Sequence, residues 1–200
     1  MFKVNDINYE IENSFMDGQL NDEEENVLIF GLEINAKEFD EYTQPSISSE
    51  TILKLKKHEI KYWHDISGKI IEWDKHTKNI WKPHLKLYNW YKKSLRGNFI
   101  YNSKTEFEKI NDKIFVKING LCDSKWNGKE IQTLSLNIET EIEFKWIQVG
   151  PHETEEKARN RLKPYIDTEN FEYVLSKLDL NNLKSTNTGI DMGRFDFKKN

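Results

Sequence analysis

Two hundred residues, 36% hydrophobic and 12% aromatic, suffice for one domain with a sizeable core. Charged residues make up 32% of the chain, but Trp, Phe, Tyr, Ile and Leu recur throughout, which argues against disorder outside the ends. The net charge of −4 conceals two opposed windows: Val4–Ala36 holds nine acidic residues and no Lys or Arg, whereas Lys75–Thr105 holds eight Lys or Arg and no Asp or Glu. Such fields govern partners and association rates rather than fold. Cys122 is the only cysteine, which excludes an internal disulfide and a thiolate-cluster metal site. The first residues lack the positive flank and apolar run of a secretory signal, and no apolar run approaches the ~18 residues of a spanning helix. The expectation is a cytoplasmic protein that does not enter a membrane.

Phe2–Ile11 and Val27–Ile34 read as N-terminal strands, and the acidic run Asp22, Glu23, Glu24 and Glu25, preceded by Asp17, falls in the loop between them. Glu59–Ile66 and Lys69–Trp73 flank Ser67-Gly68 as a hairpin, and Leu85–Trp90 and Asn98–Tyr101 add two strands separated by Arg96-Gly97. The strongest local signal is the alternation from Leu134 to Trp146, with Leu134, Leu136, Ile138, Thr140, Ile142, Phe144 and Trp146 on one face. Asn127-Gly128 supplies a type I′ turn before it, so Lys113–Trp126 folds back as its partner. Counting from that turn pairs Lys125 with Glu130 and Leu121 with Leu134. A glycine-centred bulge near Asn119-Gly120 then sets Ile118, Val116 and Ile114 opposite Leu136, Ile138 and Thr140, with Lys113 facing Glu141.

After Gly150-Pro151 the period changes. Thr154 caps a helix with Glu155 and Glu156 in its first turn and Ala158, Leu162 and Ile166 on its apolar side, and Pro164 ends it near Lys163. Thr168 opens a second helix along Phe171, Val174, Leu175 and Leu178, and a polar tail follows from Ser185 with Ile190, Met192, Phe195 and Phe197 as anchors. These runs predict an α+β protein, mainly antiparallel β as a meander or sandwich-like sheet, with a C-terminal pair of short α-helices packed on it. The division is a β-rich region over residues 1–150, a helical cap of the same domain over 151–184 and a loosely ordered tail over 185–200.

Phosphate-cradling glycine motifs, a Gly-x-Ser-x-Gly elbow and a His-Glu-x-x-His pair are all missing, so no cofactor and no catalytic residue is assigned. His58 and His64 fall on one side of a strand, with Asp65 or Asp74 as further ligands at no recognisable metal spacing; they read as solvated histidines, and no metal is assigned. Cys122 beside Asp123 reads as a small hydrophobe rather than a nucleophile. Glu139, Glu141 and Glu143 share a strand face and invite a sugar-binding or glycosidase-like reading with Trp63, Trp73, Trp81 or Trp90, although alternate acids are what a wet strand face carries anyway.

The segregated charge and the missing chemistry point to a non-catalytic protein-binding protein. A bacterial immunity protein that occludes a cognate toxin is the type, with Asp17, Asp22, Glu23, Glu24 and Glu25 as partner-binding residues. The alternative is a single-stranded nucleic-acid binder using residues 75–105. There Lys82, Lys86, Lys92, Lys93 and Arg96 track phosphates and Trp90 and Tyr91 stack on bases, although the sequence pI near 5.8 is low for that class.

Overall fold

The computed structural model describes residues 1–21, 27–38, 44–74, 85–91, 94–124, 130–151, 153–178 and 190–198. Its strands are β1 (Phe2–Val4), β2 (Ile7–Tyr9), β3 (Ile11–Asn21), β4 (Val27–Ala36), β5 (Pro45–Leu55), β6 (Ile70–Trp73), β7 (Lys86–Tyr91), β8 (Ser94–Ile110), β9 (Lys113–Ser124), β10 (Gln132–Pro151), β11 (Phe171–Leu178) and β12 (Ile190–Phe197). Helix α1 spans Glu155–Leu162, and a short 3-10 turn covers Trp63–Ile66. The protein is mainly antiparallel β, as expected, but with one helix among the described residues rather than a C-terminal pair. Hydrogen-bonded neighbours follow the order β11, β12, β10, β3, β4, β5, β7, β8, β6, and β9 pairs with both β8 and β10. Each strand from β3 to β10 except β6 therefore has partners on both edges, which removes the exposed ladders that invite aggregation.

The chain divides into two compact units. The first comprises Met1–Met16, Gly31–Leu53 and Ile66–Glu143, and the second Asp17–Phe30, Lys54–Asp65 and Phe144–Asn200. In the first unit, β1 and β2 form a hairpin around Asn5, whose φ of 50° is tolerated by its short polar side chain. β8 and β9 join through Asn111-Asp112, with φ of 49° and 66°, the two left-handed residues that a two-residue hairpin demands. Val116, Ile118, Leu134, Leu136, Ile138 and Ile142 are buried along β9 and β10, and the opposite faces carry charge.

β9 and β10 pair antiparallel as expected, but in a different register, and the Asn127-Gly128 turn lies outside the described residues. Cys122 lies opposite Leu134, Gly120 opposite Leu136, Ile118 opposite Ile138 and Val116 opposite Thr140, with no slip along the ladder. The irregularity lies in the neighbouring pair: the β8–β9 register shifts between Tyr101 and Lys104, where Asn102 takes a φ of 46°. Gly120 marks that bulge from the opposite strand. A Cβ there would come within 2.6 Å of Ile100 Cγ2 and 2.8 Å of the Ser103 Cβ, so the glycine admits the bulged strand rather than bulging itself. Lys113 still meets Glu141, at 2.8 Å, although the residue directly opposite Glu141 is Phe115. Lys125, expected opposite Glu130, lies outside the described residues.

Two other hairpins are corrected. β6 pairs with β8, not with Glu59–Ile66, because that segment ends in the 3-10 turn and Gly68 N donates to Phe107 O. Arg96-Gly97 lies inside β8, opposite Asn89 and Tyr88 respectively, rather than between the two strands.

The second unit has an aromatic interior. Trp63 stacks on Phe144 at 5.5 Å between ring centres, and Phe30, Phe171 and Phe197 complete the cluster at 5.1, 5.9 and 5.2 Å. Such pairs contribute about 0.5–1.5 kcal/mol each beyond their burial. The alternation of β10 changes phase here: Lys145 and Trp146 are both half-buried, and Ile147 and Val149 take the interior in place of the expected Trp146. α1 begins and ends as expected, with the Thr154 side chain accepting from Lys157 N and Lys163 closing the last turn before Pro164. Its Ala158 and Leu162 are buried.

The expected second helix is β11. Phe171, Val174, Leu175 and Leu178 fit a helical stripe, but Leu175 is 61% exposed, whereas the alternate residues Phe171 and Tyr173 pair with Phe197 and Phe195 of β12. That partner strand is formed by residues expected as a loose tail, and Phe195 is fully buried.

Gly120→Ala tests the crowding at the bulge. We expect a loss of about 1–3 kcal/mol in urea unfolding, the range for overpacking, and a loss below a few tenths would contradict the close approach.

Candidate functional site

A half-open cleft of about 640 Å³ lies within the second unit. One wall is the segment His58–Lys61 with Asp65, and the other is the last turn of α1 with the turn that follows it, from Lys163 to Glu169. Two main-chain bonds tie the walls together: His58 N donates to Pro164 O at 2.7 Å, and Asp167 N donates to Lys61 O at 2.7 Å. His58 holds a left-handed φ of 63°, which aims the chain at Pro164. Ile60 and Ile166, 8% and 1% exposed, give the cleft an apolar floor beside half-buried Pro164.

The polar groups that shape the cleft are used structurally. Asp65 accepts from the N–H groups of Lys61 and Tyr62 at 2.9 and 2.8 Å, which winds the 3-10 turn. Asp167 accepts from Glu169 N at 2.9 Å, an Asx turn. Arg159 reaches across with one nitrogen on Thr168 O at 2.7 Å and another on Phe171 O at 3.1 Å, pairs with Glu155 at 2.8 Å, and lies 4.8 Å over the Phe195 ring. Glu153, almost fully buried, takes both of its oxygens to Arg161 at 2.8 and 2.7 Å and accepts from Gly150 N, which fixes the entry to α1. Tyr173 donates its hydroxyl to Glu153 O, and burial, ahead of the Glu153 and Glu155 charges, pushes its pKa up. The rim is exposed: Lys61, Lys163, Glu59 and Glu169 stand in water.

Among the described residues, none of those singled out from sequence as partner-binding lines this cleft. Asp17 sits half-buried in β3, and Asp22, Glu23, Glu24 and Glu25 lie outside the described residues, as do Lys82, Lys92 and Lys93. Trp90 and Tyr91 belong to β7 and Arg96 to β8, with side chains outside the description. Lys86 is described: its ammonium lies 5.1 Å over Phe99, the residue opposite it on β8, and that ring is 57% exposed.

His58 and His64 do not share a strand face, since one lies in a left-handed turn and the other in the 3-10 turn, where it stacks on Tyr62 at 5.3 Å. Among the described residues no group of His, Cys, Asp and Glu is arranged to hold a metal ion. Glu139 and Glu141 pair with Lys117 and Lys113 at 3.6 and 2.8 Å. Trp63 is buried in the aromatic cluster, and Trp73 donates its indole N–H to Ile100 O. Cys122 is fully buried and its S–H faces Asn98 O at 3.8 Å. Burial, helped by the Asp123 charge, pushes the thiol from its ordinary 9.0 to about 12.

No protein-family model matches this chain, and no curated protein or solved structure matches it. Among the described residues no helix is long and apolar enough to cross a membrane. The cleft left little trace in sequence, because its walls are a glycine-free turn and a post-helical loop whose meeting depends on two main-chain bonds. Pro164 after the helix was the one visible signal.

The raised thiol gives a direct check. Protonated Cys122 favours the fold below the ordinary thiol value, and that contribution is lost as pH rises toward about 12. At pH near 8 a thiol-specific disulfide reagent should leave the native protein unmodified and react fully in denaturant. Stoichiometric reaction of the native protein within minutes would contradict this placement.

Proposed function

We propose that this is a non-catalytic protein-binding protein that docks on a basic partner, in the manner of an immunity protein occluding a toxin. The observation that carries the reading is the cleft: a floor of Ile60 and Ile166, walls already tied by main-chain bonds, and charge confined to an exposed rim. An apolar centre within a polar rim is the anatomy of a protein interface, and a preformed site spares the ordering cost of binding. The cation-free window Val4–Ala36 supports the same reading, because an unbalanced anionic segment accelerates encounter with a basic surface.

Affinity capture with the full chain from its native host, followed by binding measurements with the purified partner, tests this. A basic protein should be recovered, and the quadruple variant Asp22→Asn, Glu23→Gln, Glu24→Gln, Glu25→Gln should slow its association by about tenfold or more at low salt. Failure to recover any partner, or association indifferent to both salt and the variant, would overturn the proposal.

A second reading, single-stranded nucleic-acid binding, is favoured by one observation, the exposed Phe99 ring with Lys86 above it. A base stacked there gains about 1–3 kcal/mol. Oligonucleotide titration should then show a steep salt dependence that Phe99→Ala weakens by about tenfold or more. No binding at low salt removes this reading.

A further inference from the structure

We infer that the open edge of β11 pairs with β11 of a second copy of this chain, joining two protomers through one continuous sheet. The inference stands apart from the protein-binding reading above. Among the described residues three strands have a single partner, β2, β6 and β11. β2 and β6 are three and four residues long, short edges of the kind that discourage pairing, whereas β11 runs for eight.

The ladder decides which main-chain groups face that edge. β11 pairs with β12 in one register, from Phe171 with Phe197 to Leu178 with Ile190, and just before it Lys198 N donates to Asn170 O at 3.0 Å. Along an antiparallel strand, successive residues bond alternately to the two sides. Asn170, Glu172, Val174 and Ser176 therefore turn their N–H and C=O groups to β12, and Phe171, Tyr173, Leu175 and Lys177 turn theirs to the open side. Phe171 agrees: its N–H goes to Thr168 O at 3.0 Å and its carbonyl accepts from Arg159 at 3.1 Å, neither of them on β12. The main-chain groups of Tyr173 and Leu175 have no such partner among the described residues. Their side chains lie on the face that packs inward. Phe171 is buried and Tyr173 meets the Phe195 ring at 5.2 Å, yet Leu175, next along that face, is 61% exposed.

A two-fold axis normal to the sheet continues both faces across the joint, and it fixes the register here. With the axis at Leu175, the two Leu175 residues lie opposite each other and Tyr173 lies opposite Lys177 of the other copy, each of these pairs exchanging two bonds. The two exposed leucines then meet on one face, and no two like charges stand opposite, since Glu172 faces Leu178. An axis at Tyr173 or Val174 would call on the Phe171 groups, which are already in use. The one exposed apolar residue of the described edge thus sits where a second copy presents the same residue, which makes the surface its own complement.

Sedimentation equilibrium of the full chain between about 10 µM and about 1 mM should show a monomer in equilibrium with a dimer, as suits an interface of one strand pair. Amide exchange over the same range should show Tyr173 and Leu175 becoming about tenfold or more better protected with concentration, while Val174, bonded to β12, stays protected throughout. Leu175→Pro removes only an edge-facing N–H, which edge strands tolerate, and should weaken the dimer about tenfold or more with the far-ultraviolet dichroism unchanged. Leu175→Val keeps the N–H and should weaken it no more than about threefold. A chain still monomeric at about 1 mM, a dimer that leaves these two amides unprotected, or a dimer indifferent to Leu175→Pro overturns the inference. Protection of Tyr173 and Leu175 that appears only when a different protein is added overturns it as well, by giving the edge to a foreign strand. The exchange measurement uses the unmodified chain, so it decides the matter even where the proline disturbs the strand.

Discussion

The guanidinium of Arg159 is the interaction on which the second unit depends. One planar group joins three elements: it rises from α1, meets the carbonyls of Thr168 and Phe171 at the start of β11, and covers the Phe195 ring of β12. Thr168 O also accepts from Phe171 N at 3.0 Å, and Phe171 opens β11, so the guanidinium ties the helix to the turn and to the first residue of the strand. Because an arginine stays charged at any ordinary pH, its work requires a counter-ion, and Glu155 one turn earlier supplies it. The course of the chain from Lys163 to Asn170, and with it one wall of the cleft, is held by this side chain together with the main-chain bonds that link His58 to Pro164 and Asp167 to Lys61. Trp63, stacked on Phe144, anchors the opposite wall from the aromatic interior.

Local signals were legible where short-range geometry decides structure. The Thr154 cap, the stop before Pro164 and the thirteen-residue alternation up to Trp146 each follow from contacts within a few residues, and all but the final position of the alternation stand in the structure. What was not legible depends on partners far along the chain. Phe171–Leu178 has a spacing compatible with either period, and only β12 decides for the strand. Gly120 gave the right place for an irregularity but not the right strand, because a glycine can either bulge or make room for a bulge. The cleft was least visible, since backbone carbonyls build its walls and every residue has one.

The charge polarity of the sequence also takes on a more limited meaning. In the first unit much of the charge is met locally, by Lys104 with Glu106, Lys109 with Asp112, Lys113 with Glu141, and Lys117 with Glu108 and Glu139. Lys104 and Lys117 titrate above their ordinary value because of hydrogen bonds to Glu106 and to Glu108 respectively. Lys37 likewise donates to Glu10, so even the cation-free window is partly balanced from just beyond its end. The excess that is left for a partner sits in fewer residues than composition implies.

The pairing of β1 with β10 has a consequence for how the protein is made. Phe2 lies opposite Ile138, and Asn5 bonds to Ser135 across 130 residues of sequence. Phe2 and Val4 are almost wholly buried in the finished fold, yet on the ribosome their hairpin leaves the exit tunnel long before its partner strand has been translated. At about 5–20 residues per second the apolar side of that hairpin waits several seconds or more for β10. Pairing strands across so long a loop favours slow folding of the first unit.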